Sequence, residues 1–123
     1  MSFDTTMQTA LVAKHDVSAV ACMDQRFGLL LGVYARTDVA TEAVEIAASA
    51  SASLCSRPDL LGDGEEPEAA DEALCVSGGW VHAFARIPRR PELVLLGVAR
   101  SGVNIPLLRT WLTEVADRVG REA

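Results

Sequence analysis

Basic charge is scarce in this chain. It carries 11 Lys and Arg against 17 Asp and Glu, a formal net charge of −6, with a pI near 4.8. A nucleic-acid partner calls for a cationic footprint to replace phosphate counterions, so that class is disfavoured. Long apolar runs are missing too. The longest, Phe27 to Ala35, falls well short of the roughly 20 residues that cross a bilayer, so no membrane insertion is expected. The start, MSFDTTMQTALVAKHD, has neither the basic beginning nor the apolar middle of a secretory signal, which points to a cytoplasmic protein. Cysteine is limited to Cys22, Cys55 and Cys75, an odd number at wide spacing, as expected for reduced thiols rather than a disulfide framework. There is no His-x-x-His, no Cys-x-x-Cys and no GxxxxGK[ST], so no metal, cofactor or phosphate loop is expected.

Apolar residues make up 50% of the chain, enough to build a core, and 123 residues suit a single domain over 1–123. Phe3, Met7, Ala10, Leu11 and Lys14 fall at i, i+4, i+7, i+8 and i+11, a short amphipathic helix with Asp4 as its N-cap. Val17–Met23 and Phe27–Tyr34 read as a hairpin around Asp24-Gln25-Arg26. Both strands are apolar at nearly every position, the pattern of strands covered on both faces.

A second helix follows, with Asp38 as N-cap, Glu42 in its first turn, Arg57 in its last and Pro58 as its stop. Its apolar faces are narrow. Val39, Ala43, Ile46, Ala47, Ala50 and Leu54 form one; Ala40, Val44, Ala48, Ser51 and Cys55 lie beside it. Ala47 to Ser53 is seven consecutive Ala or Ser residues. The stretch from Leu60 to Asp71 is acidic, with Gly and Pro, and reads as a solvated loop.

Glu72–Ser77 and Trp80–Ile87 make a second hairpin around Gly78-Gly79, a pair suited to positive φ. Pro88-Arg89-Arg90-Pro91 reads as a turn and Leu93–Ala99 as a further strand. Asn104 with Pro106 opens the last helix, whose stripe is Leu108, Trp111, Leu112, Val115 and Val119. The order α-β-β-α-β-β-β-α describes an α/β (α+β) domain. One five-stranded, mostly antiparallel sheet lies between the second helix on one face and the two terminal helices on the other.

This order and these residues resemble the Roadblock/dynein light chain family. The pieces that carry the likeness are the VSAVACMDQRFGLLLG hairpin, the TEAVEIAASASASLCSRPD helix and the ALCVSGG-WVHAFARI-P-ELVLLGVA meander. The first 60 residues are similar to small Ragulator-type subunits, and the closing helix to bacterial members that regulate Ras-like GTPases. The turn from Asp24 to Gly28 departs from the shorter turn more usual in the family. The resemblance implies a homodimer, or a heterodimer with a Roadblock paralogue, in which the second helices pack together and the third strands pair. It further implies a small Ras-like GTPase on or near that helical face, and no catalytic base from this chain. The interface residues so implied are Ala43, Ala47, Ala50, Ser51 and Leu54 on the helix, with Ala73, Leu74, Cys75 and Val76 on the strand. Arg57, Arg89 and Arg90 are the candidate contacts to the partner.

Residue by residue, simpler readings compete. An Ala/Ser helix can lie flat on its own sheet instead of meeting a second helix. His15 and His82 lack ligand-spaced neighbours and read as surface or capping residues. Cys22 and Cys75 sit in apolar strands where thiols are inert. Arg89 and Arg90 could act in trans on phosphoryl-transfer charge, although a solvated arginine is the commoner case. Glu65, Glu66 and Glu68 are best explained by solvation. Two other functions remain open: an assembly subunit that touches no GTPase, and a profilin-like or PAS-like sensor, disfavoured by an aromatic content of 5%. Incubated alone with GTP, ATP or a generic ester, the chain should give only background turnover. An activity that survives repurification and vanishes in His82→Ala or Cys22→Ser would refute the non-enzymatic reading.

Overall fold

The computed structural model describes residues 3–36, 39–55 and 71–122, without the side chains of Phe3, Thr41, 50–55 and Ser77. In chain order the elements are α1 (Phe3–Ala13), β1 (Val17–Asp24), β2 (Leu29–Ala35), α2 (Thr41–Cys55), β3 (Glu72–Ser77), β4 (Trp80–Ile87), β5 (Arg90–Arg100) and α3 (Ile105–Glu122). The strands form one sheet in the order β2-β1-β5-β4-β3, with every neighbouring pair antiparallel.

The β3–β4 hairpin has the bounds read from the sequence. Gly78 and Gly79 supply φ of 59° and 82°, the left-handed pair that a two-residue hairpin turn requires. The first hairpin differs from expectation. Its turn is Gln25–Gly28, one residue longer, and Phe27 belongs to the turn, not to β2. Asp24 sets this geometry: its Oδ1 accepts the Arg26 backbone N–H at 3.0 Å, while the Arg26 guanidinium grips the same carboxylate. Gly28, at φ 62°, then returns the chain into β2.

Burial on both faces, expected for both strands of that hairpin, holds for β1 alone. All eight β1 residues are buried. β2 is an edge strand, and its residues are half-buried or exposed. A register slip between Val17 and Ala19 against β5 puts Val17 and Val20 on the same face. On that face Val17, Val20 and Cys22 meet Met7, Ala10 and Leu11 of α1 and Leu108, Leu112, Val115 and Val119 of α3. On the opposite face Ala19, Ala21 and Met23 meet Val44 and Ala48 of α2. The expected layering of one helix against two is therefore what forms.

The helix ends show further differences. Asp4 lies inside the first turn of α1, where it receives a hydrogen bond from the Tyr34 hydroxyl instead of capping. α2 opens at Ala40, whose carbonyl accepts from the Ala43 and Val44 N–H groups; Asp38, Arg57 and Pro58 lie outside the described residues. Asn104 does cap α3, its Oδ1 accepting from the Leu107 N–H at 3.0 Å. Trp111 is half-buried, while the rest of its stripe is buried.

Two long-range ties hold the layers in place. The Arg36 guanidinium donates to the carbonyls of Leu11, Lys14 and Val17 at 2.6, 2.7 and 2.8 Å, so one side chain satisfies the C-terminal end of α1 and the connection to β1. Each such charge-assisted bond contributes about 1.5–3 kcal/mol. The Thr6 hydroxyl donates to Glu122 and joins α1 to the end of α3.

Gly120 lets α3 approach the sheet. A Cβ there would stand 2.8 Å from Cγ2 of Ile87, a fully buried β-branched side chain. Gly120→Ala gains about 1 kcal/mol in helix propensity but overpacks the core at about 1–3 kcal/mol. The expected net is a loss of about 1 kcal/mol in urea unfolding. A variant more stable than the wild type would show that α3 is free to shift outward.

Candidate functional site

The surface that the sequence marked for pairing is built by α2 and β3. α2 lies across β1, β2 and β5 because Val44 and Ala48, both buried, are its anchors into the sheet. The neighbouring stripe turns away from that contact by about 100° per residue. Ala47 is half-buried against the same core, Ala43 is exposed, and Ile46 is 73% exposed. The side chains of Ala50, Ser51 and Leu54 lie outside the described residues, as does Arg57.

β3 is the outermost strand beyond β4, so among the described residues one full row of its backbone groups has no strand partner. Its side chains alternate. Ala73 packs into the α2-side core opposite Phe84, and Cys75 lies opposite His82 on the same face. Leu74 and Val76, 43% and 57% exposed, lie opposite Ala83 and Val81 on the face that carries α1 and α3. Ala43, Ala47, Ala73 and Cys75 thus share one side of the sheet, while Leu74 and Val76 are on the other.

Between α2 and the sheet a cleft of about 160 Å³ is lined by Val39, Ala43, Trp80, His82 and Val98, among others. Burial lowers the pKa of His82 below the usual histidine range. A proton on this imidazole would place a charge among apolar neighbours, so the cleft favours neutral contacts. The Arg100 guanidinium stacks on Trp80 at 4.4 Å and closes the side of the cleft with a cation–π contact.

The two named arginines separate. Pro88 and Arg89 alone make the β4–β5 turn, and Arg90 begins β5, which revises the four-residue turn expected from sequence. Arg90 Nε donates to Glu92 at 2.6 Å. Arg26, bound to Asp24, completes a network of four charges at this end of the sheet. The hydrogen bond from the Arg26 side chain holds the Asp24 carboxyl below its ordinary pKa, and that from Arg90 does the same for Glu92. Arg89 is exposed and packs its stem near Gly120.

The acid–base and nucleophile candidates do not converge. His15 is exposed in the α1–β1 connection and His82 lies in the cleft. Cys22 is buried in β1, where burial pushes its thiol up to about 12. Among the described residues no group of three or more His, Cys, Asp or Glu is placed to hold a metal, and no helix is long and apolar enough to cross a membrane. Glu65, Glu66 and Glu68 lie outside the described residues. The sequence reading overlooked Ile46 as an exposed residue and Trp80 and His82 as a cleft wall. A pattern spaced for a helix gave no sign of which neighbouring apolar stripe faces down.

Compared by sequence, the chain matches no family model and no curated protein. Its structure is similar to that of a Roadblock/LC7 domain from Streptomyces avermitilis, with a TM-score of 0.75 at 12% identity, covering 97% of this chain and 95% of that one. It is also similar to an MglB structure with a tetrameric arrangement, at 0.70 and 14%, covering 97% and 85%. MglC from Myxococcus xanthus superposes at 0.64 and 16%, with 100% of each chain covered. The fold is that of the Roadblock family.

The two strand cysteines should separate in a thiol titration at pH 8 on a Cys55→Ser background. Cys75 is exposed in the single chain and should react with a disulfide reagent ahead of Cys22, which should react only on unfolding. Two rapidly reacting thiols would contradict the burial of β1.

Proposed function

We propose that the chain is a non-catalytic, cytoplasmic regulator or scaffold that dimerises through α2 and β3 and presents the resulting helical face to a small Ras-like GTPase. The partner in the dimer is a second copy or a Roadblock paralogue. The observation that carries this reading is the coincidence of two unfinished surfaces. The free edge of β3 bears apolar residues and no proline, and Ala43 and Ile46 stand exposed on the helix alongside. An open apolar edge invites pairing, and a twofold axis brings the same strand and helix of a second copy against it. The Roadblock fold agrees with this, and the sequence resemblance to bacterial GTPase regulators suggests the partner class. Of the two described candidate arginines Arg90 is engaged with Glu92, and Arg89 is exposed but has its stem beside α3, so it reaches only a partner that extends past the end of the sheet.

An assembly subunit without GTPase contact would use the same dimer and is separated only by nucleotide-state preference. The sensor reading has less support, because the cleft under α2 holds about 160 Å³, whereas small-molecule sites start near roughly 300 Å³.

The structure selects the variants. Ala47 is partly seated on its own sheet, so Arg there would strain the monomer; Ala43→Arg with Ile46→Glu tests the outer stripe. Light scattering should show a dimer for the wild type and a monomer for the double variant, with unchanged circular dichroism. A wild type that is monomeric at tens of micromolar would overturn the dimer. GTPase binding is tested with GTP- and GDP-analogue-loaded Ras-like proteins. Preference for one state is expected, weakened by Arg89→Glu and by salt. Equal binding to both states would leave only scaffolding.

A further inference from the structure

We propose that the bare face of β3, on the side of the sheet carrying α1 and α3, is the floor of a trough that receives one amphipathic α-helix of a partner protein, its apolar stripe flanked by basic residues, with one helix per dimer. This rests on the dimer proposed above, but concerns the opposite face of the sheet from α2.

The terminal helices leave this floor open. α1 packs over β1 and β2, and α3 over β4 and β5. Leu74 and Val76 therefore project beside α3 with no helix above them among the described residues, 43% and 57% exposed. Along the β3 side of α3 run three hollows of about 410, 390 and 420 Å³. Glu72 lines all three, so they adjoin one another along a trough that the Glu72–Arg109 pair crosses. Its base is Leu74, Ala83 and Ala85; its wall is Leu112 and Ala116.

Pairing β3 with its twofold mate doubles the trough. Strands lie about 4.8 Å apart. The axis of α3, midway between β4 and β5, is then one and a half spacings from β3 and two from the dyad, or about 10 Å. The two α3 helices would stand about 19 Å apart over a floor of Leu74 and Val76 from both copies. Helices pack at about 8–10 Å between axes, so the gap fits one more helix touching both walls. Each wall is 18 residues of α3, about 27 Å long, which sets the length of the occupant. A single helix on a twofold axis takes one direction, hence one per dimer.

Charge selects the flanks. The rim carries Asp71, Glu72 and Glu114 against Arg86 and Arg109. Three acids and two bases leave −1 per chain and −2 per dimer. Both arginines already face an acid, Arg109 with Glu72 at 3.1 Å and Arg86 with Asp71 at 3.6 Å. Glu114 is exposed on the rim, and basic flanks answer it.

The test uses the full chain and a dye-labelled synthetic peptide of 18 or so residues, matched to the wall, with Leu at helical i, i+3, i+4, i+7 spacing and Lys elsewhere. A second peptide carries Glu in place of Lys. One variant alters the trough without touching the pairing strand: Thr113→Trp, which fills the wall at an exposed position of α3. Anisotropy titration should saturate at one Lys peptide per dimer. Thr113→Trp protein, and the Glu peptide, should bind at least tenfold more weakly, while light scattering of the peptide-free variant still shows a dimer. Equal binding by wild type and Thr113→Trp, two peptides per dimer, no binding to an intact dimer, or equal binding of the Glu peptide would each overturn the proposal. A monomeric wild type in the peptide-free measurement removes the second wall and the dimer reading together, and so is distinguishable from failure of the trough alone.

Discussion

A helix with its side chains is about 10 Å wide, and strands lie about 4.8 Å apart. One helix therefore covers about two strands, and this mismatch governs the whole molecule. Two helices on one face cover four of five strands. The single helix on the other face reaches all five strands, but lies mainly on β1 and β2. The uncovered remainder is not spread evenly: among the described residues it falls on β3, which is bare on one face, thinly covered on the other and open along its edge.

The centre of the sheet is saturated. β1 is buried along its whole length, and β5 is buried from Leu93 to Ala99. Small residues make this possible where the layers are tightest. Gly97 faces α3, where an added Cβ would lie 3.2 Å from Leu112. Polar groups are pushed to the ends of the sheet. At one end the carboxylates of Asp24 and Glu92 are each held by an arginine; at the other Arg36 ties three carbonyls. Among the described residues only Thr6, Ser18 and Asp24 are buried polar side chains.

Much of this was legible in the sequence. Alternation on either side of Gly78-Gly79 marks β3 and β4 to the residue, and Asn104 marks the start of α3, because turn and cap chemistry is local. Apolarity alone misplaced Phe27. The run continues through the turn, and only the Asp24 side chain and Gly28 reveal the reversal. Pro91 looked like the end of a turn, yet lies within β5. It falls beside a register slip near Ile87, beyond the last β1 pair at Leu93, where a missing N–H costs little. The stripe of α2 expected at a pairing surface includes Ala47, which is half-buried against its own sheet. In a helix of Ala and Ser, neighbouring faces differ too little in hydrophobicity to show which is down, and only the fit of Val44 and Ala48 into the sheet decides.

The pairing of β1 with β5 also has a consequence in time. Val17 meets Ala99 across more than half the chain. During synthesis, at about 5–20 residues per second, β1 and β2 emerge several seconds before β5 exists. For that interval the one strand that ends up buried along its whole length has one edge open and neither cover of α3 nor a neighbour on that side. Closing so long a loop makes this step slow in comparison with the formation of either hairpin.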